Sequence, residues 1–158
     1  MEIHRATLKD LNTISALNVH VQRVHAEALP EMFKLPETDA FSAEFIAERL
    51  ANPDSYFFIA IVDAQAIGYV YAHMLHLDEN PYRRALDYIE IDQISVQPEY
   101  QRKGFGGALV QQVRELAREK GIDTITLSVW FFNDQSRNFF RGQGFEVFNE
   151  RMWLRKVN

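Results

Sequence analysis

The chain has 158 residues, 47% of them apolar, with twelve Phe and six Tyr as bulky core material, so a single domain over residues 1–158 is expected. It has no cysteine, which excludes disulfides, thiolate metal sites and a cysteine nucleophile. The net charge of −5 disfavours non-specific nucleic-acid binding, which needs a basic face, and is compatible with cationic partners such as amines.

No run approaches the ~18 apolar residues of a membrane span. Met1-Glu2-Ile3-His4-Arg5 lacks the basic-then-apolar order of a secretory leader. A cytoplasmic location without membrane or nucleic-acid partners is expected.

In chain order, Met1 to Thr7 reads as a short strand, and Thr7 with Asp10 forms a capping box. Leu11, Ile14, Leu17, Val21 and Val24 recur at helical spacing and predict an amphipathic helix. Pro30 and Pro36 bracket an irregular segment. A shorter helix follows, with Phe41, Phe45, Ile46 and Leu50 on its apolar side, stopped by Asn52-Pro53-Asp54. Tyr56 to Val62 and Ile67 to Leu77 then read as strands of a hairpin, turning at Asp63-Ala64-Gln65-Ala66.

Residues 78–86 form a polar connection to a strand over Asp87 to Val96. After the glycine-rich run that follows, Leu109, Val110, Val113, Leu116 and Ala117 mark a long helix ending at Lys120-Gly121. Thr124 to Phe131 is a predicted strand, with Trp130 and Phe131 read as core. Asn133 or Asp134 caps a helix to about Gly142, and Phe145 to Phe148 and Met152 to Val157 are two final strands. The order predicts a mixed α/β sandwich.

Gln101-Arg102-Lys103-Gly104-Phe105-Gly106-Gly107 joins a strand to the long helix. Glycines let backbone approach a ligand, and the first N–H groups of a helix form an anion site. Arg102 and Lys103 add positive charge to an acidic chain, so a phosphate is the natural occupant. There is no G-x-x-x-x-G-K-[ST] run, and Gly104 and Gly106 are followed by Leu109 rather than the third glycine of a dinucleotide fingerprint. The spacing alone also fits a strand-to-helix turn without ligand.

Gln101-x-x-Gly104-x-Gly106 resembles the [QR]-x-x-G-x-[GA] loop that holds the pyrophosphate of acetyl-CoA in GNAT acetyltransferases. The run from Ile94 to Gly106 is similar to that family's strand and loop almost throughout. Asn133-Asp134-Gln135-Ser136 through Phe145 resembles its second signature. The resemblance implies a mostly antiparallel sheet of about seven strands flanked by helices. It also implies acetyl-CoA as donor and an amine of a small molecule or protein as acceptor. Two strands of the family splay around the pantetheine arm, which bonds to backbone here at Ile94, Ser95 and Val96. N–H groups of Arg102, Lys103, Gly104, Phe105, Gly106 and Gly107 would hold the pyrophosphate. Asn133 would reach the pantetheine from the start of its helix, a place where Asn also serves as a plain N-cap. The family further suggests a homodimer, here through an edge strand near the C-terminus.

Transfer to an amine requires the neutral amine. For a lysine-like amine of pKa ~10.4 that costs roughly 4.6 kcal/mol at pH 7, against about 1 kcal/mol for an α-amine. A base therefore helps. Glu90 and Asp92 are the candidates, placed by period two on one face of the strand that leads to the loop. Some family members carry their base glutamate at the position of Glu90. Many also carry, at the position of Phe140, a Tyr that protonates the leaving thiolate, and Phe140 cannot donate a proton. Leaving a thiol of pKa ~8.5 unprotonated costs about 2 kcal/mol at pH 7, and water or the Ser136 hydroxyl could substitute. The departure also fits a non-catalytic acyl-CoA-binding module on the same fold. His20 and His25, and His73 and His76, do not form a metal site by spacing, and no metal is expected. His25 is a candidate lining residue for an acceptor entering over residues 25–40 and 75–86.

Overall fold

The computed structural model describes residues 1–36 and 41–155. The chain falls into two compact units, Met1–Ser128 and Val129–Asn158.

The first unit begins with β1 (Glu2–Arg5) and the capping box, in which Asp10 accepts from the Thr7 N–H at 2.8 Å. Helices α1 (Leu11–Ala28) and α2 (Ala43–Ala51) follow. Ser42 caps α2, accepting from the Phe45 N–H. Strands β2 (Ser55–Val62), β3 (Gln65–Leu77) and β4 (Leu86–Val96) precede α3 (Phe105–Lys120) and β5 (Ile125–Leu127). The sheet runs in sequence order, β1-β2-β3-β4-β5, antiparallel except for the parallel β4–β5 pair.

Register assigns the two faces of the sheet. Phe57, Ile59, Tyr69 and Tyr71 pack with Ile14 and Leu17 of α1, Ile46 of α2, and Phe41. Full burial of each large apolar side chain stabilises by roughly 1.5–3 kcal/mol. The opposite face carries Phe58, Val70, Ala72, Ile89 and Ile91, covered by the buried stripe Leu109, Val110, Val113 and Leu116 of α3.

Among the described residues the sheet has five strands rather than about seven. The strand predicted for Thr124 to Phe131 is confined to Ile125–Leu127, because its ladder with β4 ends at Ile91↔Leu127. One residue on, β4 bulges: Tyr71 pairs with Gln93 and Ala72 with Ile91, leaving Asp92 as the extra residue. A bulge bends and twists its strand, which takes it out of line with its neighbour. The two predicted C-terminal strands do not form in residues 145–155; residues 156–157 lie outside the described residues. Alternation there is a pattern without a ladder partner, and Val147, Phe148, Met152 and Leu154 are exposed. The edge expected to join two subunits is thus not a strand in residues 145–155.

The second unit holds α4 (Asp134–Gly142), with Asn133 as N-cap as expected. Phe140 is buried, with ring contacts to Phe139 and Phe145. Phe131, read as core, is 57% exposed, its ring edge-on to Phe132 and Trp153.

Gly68 fixes how closely β3 approaches β4. A Cβ there would lie 2.5 Å from the Ser95 carbonyl oxygen and 3.2 Å from Val96 Cα, both rigid backbone. Gly68→Ala must push the end of β4 outward, and overpacking of this kind costs about 1–3 kcal/mol. Urea denaturation of the variant is expected to show that loss; unchanged stability would mean that the β3–β4 spacing is soft.

Candidate active site

Beyond Ile91 the outer edge of β4 leaves the ladder. Gln97 N–H donates to the Ile67 carbonyl at 2.8 Å, toward β3. Strand alternation then turns Ser95 toward β3 as well, and turns the N–H groups of Ile94 and Val96 outward. The buried Ser95 hydroxyl donates to the Leu17 carbonyl at 2.9 Å, so its side chain braces α1. Of the three residues expected at the pantetheine, Ile94 and Val96 present outward backbone, and Ser95 does not.

A buried network fixes this stretch from the α1 side. Asn18 Nδ2 donates to the Tyr69 hydroxyl and to Gln93 Oε1, each at 2.9 Å, and the Tyr69 hydroxyl donates to Gln93 Oε1 at 2.5 Å. Burial holds the Tyr69 phenol far above its ordinary pKa, the Asn18 bond partly opposing and the Asp92 charge adding to the rise. Tyr69 therefore remains a donor. Nothing in the sequence motifs marked this network, although Tyr69, Tyr71 and His73 alternate on β3 and so had to share a face.

At the end of β4 the chain turns through Pro98–Tyr100 into the loop. Gln101 Nε2 donates to the Val96 carbonyl at 2.9 Å, tying the loop to the strand. Arg102 and Gly104 adopt left-handed backbone, with φ of 58° and 89°. Such a conformation strains a non-glycine residue by about 1–3 kcal/mol, which makes Arg102 a point of stored strain. Gly104 is the N-cap of α3 and offers no side-chain cap. Ala108 N–H closes on the Gly104 carbonyl, so the N–H groups of Phe105, Gly106 and Gly107 have no intrahelical acceptor. Exposed Arg102 and Lys103 flank them.

Glu90 is half-buried and Asp92 exposed. The extra residue at Asp92 leaves Gln93 and Ser95 on the same α1 face as Glu90, and the Asp92 charge reaches the Tyr69 hydroxyl of that face. Register places Glu90 opposite His73 of β3 and beside Thr126 of β5, while His73 lies opposite Ser55 of β2. A polar row, Ser55–His73–Glu90–Thr126, thus crosses four strands on the α1 face. His25, the candidate lining residue, gives its Nδ1 to the Val21 carbonyl at 2.7 Å and sets its ring edge-on to Phe33. Residues 37–40 of the expected acceptor wall lie outside the described residues. At the far end of the β3–β4 hairpin, His76 lies 2.6 Å from Asp87 and 3.4 Å from Asp78. The Asp87 hydrogen bond chiefly raises its pKa, so this contact is held by charge at lower pH and weakens as pH rises through the raised value.

In the second unit, Asn133 Oδ1 accepts from the Ser136 N–H at 3.1 Å, so the cap function is formed. An open groove of about 340 Å³ lies on the α3 face, lined in part by Arg5, Tyr56, Leu116 and Lys120, on the other side of the sheet from Glu90. Among the described residues no three His, Asp or Glu gather as metal ligands, and no helix is long and apolar enough to cross a membrane.

The sequence profile described as the Acetyltransferase (GNAT) family matches residues 21–145. An uncharacterized N-acetyltransferase in the pepI 3′ region of Lactobacillus delbrueckii subsp. lactis is 29% identical over 108 residues. That match covers 66% of this chain but 60% of the relative, so the chain spans less than two thirds of the relative's length. A tetramutant of the BH1408 protein from Bacillus halodurans superposes with a TM-score of 0.93 at 17% identity, over 98% of this chain and 99% of that one. The aminoglycoside 6′-N-acetyltransferase AAC(6′)-IG of Acinetobacter haemolyticus gives a TM-score of 0.74 at 18% identity, over 100% and 99%. These two likenesses are of fold. With the profile match spanning most of its length, the chain belongs to the acetyltransferase (GNAT) family.

Proposed function

We propose that this chain is an acetyl-CoA-dependent N-acetyltransferase that moves the acetyl group directly to a primary amine. The observation that carries the reading is the uncapped start of α3, where three free N–H groups and two exposed cations adjoin the end of an unpaired strand edge. Helix N-termini of this kind suit a phosphate, and outward strand backbone suits the amides of a pantetheine arm.

Acetyl-CoA, when bound, supplies an activated thioester carbonyl. The chain's own groups do the rest. Residues 102–107 hold the pyrophosphate, and Ile94 and Val96 orient the arm. Their N–H groups are the candidates for polarising the carbonyl, an oxyanion-type stabilisation. Glu90, one residue from the last β4–β5 pair, binds and orients the acceptor's ammonium and assists its deprotonation, and Asp92 adds negative charge nearby. On the family resemblance alone, Asn133 and Ser136 are also candidates for pantetheine contacts; the Asn133 oxygen accepts from the Ser136 N–H.

A second reading, a non-catalytic acyl-CoA-binding module, is favoured by Phe140, which is buried among phenylalanine rings and has no proton to give. Turnover across a panel of amines separates the two: tight acetyl-CoA binding with no acetylation at high protein concentration favours the module.

Two variants test the enzyme reading. A Cβ at Gly104 meets nothing within 4 Å, so Gly104→Asp brings no clash; it adds a negative charge at the phosphate site together with the strain of a side chain at φ 89°. Calorimetry is expected to show acetyl-CoA affinity falling about 10- to 100-fold, the range of one charged hydrogen bond. Equal affinity in both proteins would place the phosphates elsewhere. Glu90→Gln is expected to lower kcat for amine transfer by about 10²- to 10⁴-fold while leaving acetyl-CoA affinity unchanged. An unchanged kcat would remove Glu90 from the chemistry.

A further inference from the structure

Resting on the transferase reading, we propose that His73 shares the acid–base work with Glu90, and that the acceptor's ammonium binds between these two side chains.

Four observations lead there. His73 and Glu90 are direct cross-strand partners on the α1 face, both only half-buried. Partners at such a position hold their Cβ atoms about 4.5–5.5 Å apart. Their side chains nevertheless make no hydrogen bond or ion pair with each other, although a carboxylate and an imidazole there are well placed for one. An ammonium that donates to both would join them. Next, one edge of the imidazole is already engaged: His73 Nδ1 lies 3.2 Å from the Tyr71 hydroxyl, which lies 3.5 Å from the Ser55 hydroxyl. Finally, Tyr71 is itself immobile, stacked on Phe57 at 4.2 Å and 7°, and Ser55 is buried.

With Nδ1–H donating to the Tyr71 oxygen, Nε2 carries the free lone pair. The Tyr71 contact holds the ring, and the proposed chemistry uses the tautomer in which Nδ1–H donates to Tyr71 and Nε2 faces the acceptor. The proton count closes. Nε2 takes one proton from R–NH₃⁺, leaving the neutral amine and an imidazolium beside Glu90, whose charge stabilises it. The nitrogen then bonds to the thioester carbonyl carbon, the C–S bond breaks, and the second nitrogen proton goes to the departing thiolate. The imidazolium later returns its proton to water.

The test uses butylammonium as the minimal acceptor, with CoA present, and follows the ring signals of the five histidines by NMR, His73 assigned by its absence in His73→Gln. Butylammonium is expected to shift the His73 signals in the wild type and to do so several-fold more weakly in Glu90→Gln. His73 signals that stay fixed up to the solubility of the salt would overturn the proposal, whatever the turnover. In single-turnover acetylation of butylamine, His73→Ala is expected to lose about 10²-fold or more in rate, with partial recovery on adding imidazole and unchanged acetyl-CoA affinity. A variant as fast as wild type would also overturn it. Failure of the wild type to bind acetyl-CoA would count against the transferase reading instead.

Discussion

The extra residue at Asp92 is the constraint on which the rest of the site depends. A regular β4 would continue its ladder with β5 and turn its outer N–H groups into sheet bonds. The bulge shifts the strand by one residue, the β4–β5 pairing stops at Ile91, and two outward amides remain at Ile94 and Val96. The shift also reassigns faces. Glu90 joins the row with Ser55 and His73, and Gln93 drops into the buried network with Asn18 and Tyr69.

Once the outer edge is unpaired, something else must hold the strand in place. Three contacts do so from inside: the Asn18–Tyr69–Gln93 network, the Ser95 hydroxyl on the Leu17 carbonyl, and Gln101 on the Val96 carbonyl. All but the last lie on the α1 face, and Gly68 allows β3 to close on the same strand from beside it. Buried hydrogen bonds of this sort contribute about 1 kcal/mol each, and an unmade one costs more. Asn18 Oδ1 and Gln97 Oε1 are buried acceptors without partners, so this face tolerates some unsatisfied polarity in exchange for a fixed strand end. A rigid edge and a strained loop beside an uncapped helix are the features of a preformed binding surface.

Much of this was legible in the sequence. Helical spacing from Leu11 to Val24 and from Leu109 to Ala117 located α1 and α3, and the Thr7–Asp10 box and the Asn133 cap form as read. Gly104 and Gly106 marked the loop because backbone at a helix start has few chemical alternatives. Local alternation misled where pairing is decided at long range. Nothing in Thr124 to Phe131 says that β4 will bulge away after three pairs, and nothing in Phe145 to Phe148 says that no strand will pair with it. His73 was invisible as a site residue because its partner, Glu90, is seventeen positions away and only the β3–β4 register joins them.

The central claim is that ligand backbone and phosphates bind along one continuous path, from the outer edge of β4 into the start of α3. Amide NMR of the isotopically labelled protein during an acetyl-CoA titration tests it most directly. The account predicts that the N–H signals of Ile94 and Val96 and of residues 102–107 move together, while those of β1 and the Arg5–Tyr56–Lys120 groove stay fixed. Signals that move at the groove, with β4 and the loop unchanged, would contradict it.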